Sequence, residues 1–176
     1  GDVIFMIKYN KKRMYRVLKT NQYELLYRYL PSVMDSIGRK DYEISNDCLF
    51  VHGNVPVMLC CHLDTVGNVH VKNIVNENGT LRNAENQLLG ADDRCGVYII
   101  ERLVKQGLKP TIVLTEDEEI GCVGARKFAS NQRYVSKLQR TNFIIELDRK
   151  GKNDAVFYDC DNEEFKRFVL RSGQGW

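Results

Sequence analysis

Residues 56–66 read Pro56-Val57-Met58-Leu59-Cys60-Cys61-His62-Leu63-Asp64-Thr65-Val66. The uncharged run from Pro56 to Cys61 suits a strand buried on both faces, as strands of parallel sheets are. It breaks into His62 and Asp64, which project to the same side of an extended chain. Two later apolar runs end in the same way. Ile112-Val113-Leu114 leads to Glu116-Asp117-Glu118-Glu119, and Phe143-Ile144-Ile145 leads through Glu146-Leu147 to Asp148. Ligands of open α/β sheets bind outside the carboxyl ends of the strands. If these strands are parallel neighbours, their polar tips meet in one crevice.

Working outward, helical and extended periods alternate. Asp92 to Gln106 reads as a helix, with Val97, Ile100, Leu103 and Val104 on one face and Gly107 as its stop. Thr111 to Thr115 is a strand, Gly121 to Ser130 a short helix, Phe143 to Leu147 and Ala155 to Tyr158 strands, and Glu163 to Leu170 a helix. Upstream, Leu25, Leu26, Tyr29 and Leu30 mark a helix from Asn21 that Pro31 interrupts or ends. Tyr42 to Ile44 and Leu49 to Val51 are short strands joined by Ser45-Asn46-Asp47. Val71 to Val75 and Thr80 to Arg82 form a hairpin around Asn78-Gly79. Strands alternating with helices require crossovers, and the early hairpins add antiparallel pairs. The expected class is α/β, a three-layer α/β/α arrangement around a mixed, largely parallel central sheet.

A length of 176 residues bounds this to a single domain, residues 1–176, with one sizeable core. Hydrophobic residues at 43% and charged residues at 28% exclude disordered and collagen-like chains. The net charge of +3 is too mild to mark nucleic acid as the main partner. Nine of the first 40 residues are Lys or Arg, six of them between Lys8 and Lys19, which reads as a solvated face or a nucleic-acid arm. The apolar opening, Val3 to Ile7, is too short to cross a membrane and precedes the basic cluster, the wrong order for a signal peptide. The six cysteines include no C-x-x-C pair and sit mostly among apolar residues. They read as reduced, buried thiols of a cytoplasmic protein.

The strand tips are joined by Gly90-Ala91-Asp92-Asp93, two carboxylates at a helix start. Singly, each has a structural alternative. His62 suits a hydrogen-bonded edge histidine, Asp92 a helix N-cap, Glu116 to Glu119 acidic residues at the positive end of a helix, and Asp148 a turn. Jointly, one imidazole among several carboxylates suits Zn²⁺ or a similar divalent ion. In that reading His62 binds metal and Asp64 orients its ring. Of two consecutive glutamates, one binds metal and the other acts as general base.

The segments His62-Leu63-Asp64-Thr65-Val66, Gly90 through Gly96, Asp117-Glu118-Glu119-Ile120-Gly121-Cys122-Val123-Gly124-Ala125 and Glu146-Leu147-Asp148-Arg149 resemble, in this order, the zinc-dependent exopeptidase superfamily. That superfamily holds the co-catalytic metallo-aminopeptidases, carboxypeptidases and dipeptidases related to peptidase T. The resemblance runs from about Val55 to Cys160 and implies the phosphorylase/hydrolase-like fold of that superfamily. It implies His62 and Asp148 on one metal, Glu119 on the other, and Asp92 bridging both before a peptide bond that is often cis. It implies Asp64 as the orienter of His62 and Glu118 as general base and acid. The cofactor implied is zinc, one or two ions, with cobalt or manganese as substitutes. The reaction implied is cleavage of the amide bond of a small peptide or N-acyl amino acid by a metal-activated water.

The chain departs from this pattern twice. The superfamily's second metal has a further histidine ligand well beyond the Asp148 position, and no histidine follows His70 here. The expectation is a catalytic-type domain incomplete at the C-terminus. The alternatives are replacement by His52 or His70, a ligand from a neighbouring chain, or a weak Glu119 site. No lid or dimerisation insertion is expected, since only 27 residues separate Asp64 from Asp92. Two other functions compete with the peptidase: a non-catalytic metal-binding relic of the same fold, and, more remotely, a Mg²⁺-dependent nucleic-acid enzyme. Oligomeric state is not legible, and no membrane partner is expected.

Overall fold

The computed structural model describes residues 8–45, 47–151 and 155–172. The apolar opening Val3 to Ile7 and Asn46 lie outside them. Chain order begins with α1 (Lys11–Lys19), α2 (Gln22–Glu24), a π turn (Leu25–Tyr29) and α3 (Leu30–Ser36). The sheet strands β1 (Tyr42–Ser45), β2 (Cys48–Val51) and β3 (Val57–His62) follow, then the hairpin β4 (Ile74–Glu77) and β5 (Thr80–Asn83). After these come α4 (Ala91–Lys105), β6 (Thr111–Thr115), α5 (Val123–Ser130), α6 (Gln132–Val135), β7 (Phe143–Glu146) and α7 (Glu163–Ser172).

The central sheet has five strands in the order β1-β2-β6-β3-β7. β3 is parallel to β6 on one side and to β7 on the other, while β6–β2 and β2–β1 are antiparallel. His62 pairs with Thr115 and Cys60 with Glu146, so the three apolar runs end level with one another. Alternation along the strands divides the core. Leu49, Val51, Leu59, Cys61, Ile112 and Leu114 face α1, α3 and α4 in one cluster. Cys48, Phe50, Met58 and Val113 face Phe128 of α5 and Tyr134 of α6 in the other. Both sheet faces are therefore covered, and the α/β/α layering with a mixed sheet is observed.

The basic N-terminal segment is a docking helix. Asn10 caps α1 by accepting from the Arg13 N–H at 3.1 Å, and Val17 and Leu18 are buried. Arg13 donates to the fully buried Glu101 at 2.6 Å, and the Tyr29 hydroxyl donates to the other carboxylate oxygen at 2.6 Å. Arg94, also buried, donates to the carbonyls of Val17 and Thr20. Lys11, Lys12 and Lys19 remain exposed.

The structure decides between the two expectations for Pro31 and differs from the sequence expectation at three other places. Pro31 interrupts its helix and does not end it. It has no N–H to give to the preceding turn, and the chain accommodates it through the π turn, where the Leu30 N–H reaches back to the Leu25 carbonyl. The β4–β5 hairpin forms a separate two-stranded sheet, so β1 and β2 alone make the central sheet mixed. The helix expected from Gly121 starts at Val123, because Gly121 and Cys122 adopt φ of 113° and 55°. Ala155 to Tyr158 is not a strand. Its residues have strand propensity but no paired neighbour, and Tyr158 is 83% exposed.

Candidate metal centre

The tips of β3, β6 and β7 and the start of α4 converge. His62 and Asp64 are buried, with side chains 3% and 5% exposed. The His62 Nδ1 lies 3.2 Å from the Asp64 Oδ1, and its Nε2 lies 3.3 Å from the Asp92 Oδ1 and 3.9 Å from the Asp148 Oδ2. A ring nitrogen of His62 and carboxylate oxygens of Asp92 and Glu119 all fall within 4.8 Å of one another. Asp148 is drawn to the group by register. The Leu147 N–H donates to the Cys60 carbonyl at 3.0 Å, which carries the chain past β7 and sets Asp148 level with His62. The Asp92 side chain is 71% exposed and gives the group its opening to solvent.

Asp64 reaches further than the expected contact with His62. Its two oxygens accept from the Glu118 and Glu119 N–H groups, each at 3.0 Å. One carboxylate thus ties the end of β3 to the loop after β6. That loop is also pinned from behind. The Gly124 N–H donates to the Glu116 carbonyl at 3.1 Å, and a Cβ on Gly124 would stand 2.6 Å from that oxygen and 2.8 Å from the Asp47 carbonyl oxygen. Only glycine permits this approach. At the start of α4, Gly90 takes φ of 67° and the Asp92–Asp93 peptide is cis. Asp93 turns inward, 2% exposed, and accepts from the Gly96 N–H at 3.1 Å.

The electrostatics are those of crowded negative charge. Burial alone would lower the His62 pKa, but the hydrogen bond and charge of Asp64, with Asp93 and Asp92, outweigh it and raise it to about 9. Burial works against ionised Asp64 too, yet His62 and the Glu118 and Glu119 N–H groups bring it down to about 2. Burial drives Asp93 up to about 8. Burial and the hydrogen bond with Asp92 raise Asp148 to about 6. Burial also raises Glu119, with Asp92 and Glu118 adding to it.

These residues fit a divalent cation. Tetrahedral zinc bonds of about 2.0–2.2 Å set ligand atoms roughly 3.4 Å apart, within reach of the observed spread by side-chain adjustment. A cation would favour the ionised forms of Asp148 and Glu119, which burial first and neighbouring carboxylates second disfavour. The buried Oδ2 of Asp93, close by in the chain, has no hydrogen-bond partner. Among the described residues no other trio of His, Cys, Asp or Glu lies so close.

Of the two histidines considered as substitutes, His52 follows Val51, which pairs with Ile112 near the opposite end of β6, and its Nε2 lies 3.4 Å from Glu43. His70 is exposed and outside the group. Sequence reasoning singled out Asp93 without giving it a role and gave none to Cys122, whose Sγ lies 3.3 Å from the Glu118 Oε1. The doubled Asp92-Asp93 marked the first. Nothing in the pattern marked the second.

No curated protein sequence matches. Solved structures share the fold, among them two peptidases. One is a tripeptidase from Staphylococcus aureus subsp. aureus Mu50, with 16% identity and a TM-score of 0.56, covering 81% of this chain and 44% of that one. The other is the aminopeptidase PepT from Bacillus cereus ATCC 10987, with 18% identity and a TM-score of 0.54, covering 80% and 43%. The chain therefore spans less than half the length of either. The sequence pattern of Peptidase family M28 matches residues 51–169, the stretch that holds every strand tip described above, and the chain belongs to Peptidase family M28.

Proposed function

We propose that this chain carries the metal-binding, catalytic-type part of an exopeptidase or related amidohydrolase that acts on small peptides or N-acyl amino acids. The observation that supports this most directly is the grouping of His62, Asp92 and Glu119 within 4.8 Å, with the Glu118 carboxylate adjacent in the chain. His62 and Asp148 would hold one zinc ion, Glu119 a second, and Asp92 both. The chemistry such a metal supplies is Lewis acidity toward the scissile carbonyl and a lowered pKa for the attacking water.

The chain's own residues would do the rest. Asp64 fixes the ring of His62 through Nδ1 and leaves Nε2 for the metal. The same carboxylate holds the Glu118 and Glu119 backbone, so base and ligand are presented together. Glu118 takes the proton from the attacking water and returns it to the leaving amine. The six cysteines, all free thiols, accord with a reducing, cytoplasmic setting. No described helix is long and apolar enough to cross a membrane.

A second reading, a non-catalytic metal-binding relic, is favoured by one observation: among the described residues no histidine but His62 joins the group. One experiment separates the two. The chain should retain about one to two equivalents of zinc, and E118Q should retain the same metal. Hydrolysis of aminoacyl anilides or acetylated amino acids should fall about 10²–10⁴-fold in E118Q. Full activity in E118Q removes Glu118 from the mechanism, and absence of any hydrolysis by the zinc-loaded wild type favours the relic.

A further inference from the structure

We propose that Cys122 is a positioning residue for Glu118, its thiol hydrogen bond fixing the orientation of that carboxylate. This rests on the reading of Glu118 as general base. The Sγ lies 3.3 Å from the Glu118 Oε1, and among the described residues no other side chain donates to Glu118. The main chain enforces the meeting. The Gly121 and Cys122 N–H groups both donate to the Glu118 carbonyl, at 2.9 and 2.8 Å, and close a tight turn that returns residue 122 to residue 118.

The backbone at Cys122 would favour glycine. Its φ of 55° and ψ of 39° lie in the left-handed region, where glycine is at ease and a Cβ is not. A glycine would suit this position better on backbone grounds, yet a side chain with a donor stands there. A free glutamate carboxylate samples several rotamers, and proton transfer tolerates little misplacement of the base. An S–H donor is weak, but it is stronger toward an ionised acceptor and can select one rotamer. The hydrogen bond to Glu118 also raises the thiol pKa above its ordinary value, which keeps the donor proton in place at neutral pH.

Four forms of the full chain test this: wild type, E118Q, C122G and C122S. The first readout needs no turnover. Iodoacetamide labelling at pH 8, followed by peptide mass spectrometry, should modify Cys122 about three- to tenfold faster in E118Q, because the thiolate is no longer opposed by a carboxylate. Equal rates overturn the contact. The second readout is the split of kcat from KM in the zinc-loaded chain. C122G should lower kcat about tenfold with KM and zinc content unchanged, without loss in the urea midpoint because glycine suits the left-handed backbone. C122S, which keeps a donor, should recover most of that kcat. Wild-type kcat in C122G overturns the positioning role. Full kcat in E118Q sinks the general-base reading instead. A surviving difference in labelling would then report a contact without catalytic consequence, which also overturns the proposal.

Discussion

β6 and β7 flank the same strand in the same parallel sense, yet one is core and the other is rim. All five residues of β6 are buried, whereas Phe143 of β7 is half-buried and Ile144, Ile145 and Glu146 are exposed. β6 has β2 on its far side and helices over both faces. The far edge of β7 has no strand partner among the described residues, and α7 meets it through the stacking of Phe165 on Phe143, with ring centroids 4.0 Å apart. Both strands nevertheless deliver carboxylates to one centre. The candidate metal group therefore has a firmly tied half and a lightly supported half. Glu118 and Glu119 are tied to Asp64, while Asp148 hangs from the outermost strand.

The largest expected effect strikes the firmly tied half. Leu114 is fully buried between β2, β3 and the helices above. Leu114→Ala removes buried apolar volume from a site that cannot collapse freely and should cost about 2–5 kcal/mol in urea unfolding. A loss below about 1 kcal/mol would show that β6 is not the firm member of the pair.

A smaller effect separates the two halves by their protons. At neutral pH His62, raised to about 9, carries a proton that metal must displace. Zinc affinity should therefore rise about tenfold per pH unit until pH approaches 9, where the gain stops. Asp148, raised to about 6, adds a second displaced proton below that pH and steepens the dependence there. D148N should abolish the extra steepness below pH 6 and leave the single-proton slope intact. A chelator-competition titration from pH 5 to 9.5 checks both parts. A pH-independent affinity would mean that His62 is not a ligand.

The contrast also explains what the sequence could disclose. β3 and β6 announce themselves because burial on both faces leaves uninterrupted apolar runs, and polar tips after such runs are conspicuous. His62, Asp64 and the acidic run Glu116 to Glu119 stand out for that reason, whereas the choice of Asp92, Glu119 and Asp148 as ligands comes from the resemblance to the zinc-dependent exopeptidases. The features that escaped depend on backbone reversals with no period: φ of 61° at Asp117, 55° at Cys122 and 67° at Gly90. Those reversals bring Cys122 to Glu118 and open the start of α4, where Asp93 turns inward. The Ala155 to Tyr158 error has the opposite origin. Strand propensity was present, but propensity forms a strand only where an edge pairs with it, and the order of pairing is not written locally.

The smallest expected effect belongs to the rim. Ile144 is 64% exposed and pairs in register with Met58, on the face covered elsewhere by α5 and α6. Its side chain has little burial to lose, so Ile144→Ser should change the free energy of unfolding by no more than about 0.5 kcal/mol. The main-chain bonds that hold β7 to β3 do not involve that side chain, so zinc affinity should also be unchanged. An exposed apolar residue on an unpaired edge is a site for association. The substitution should thus act on solubility at high concentration, not on folding. If Ile144→Ser instead destabilises the chain as Leu114→Ala does, a surface covers β7 in solution, and the distinction between core and rim strand fails at its outer member.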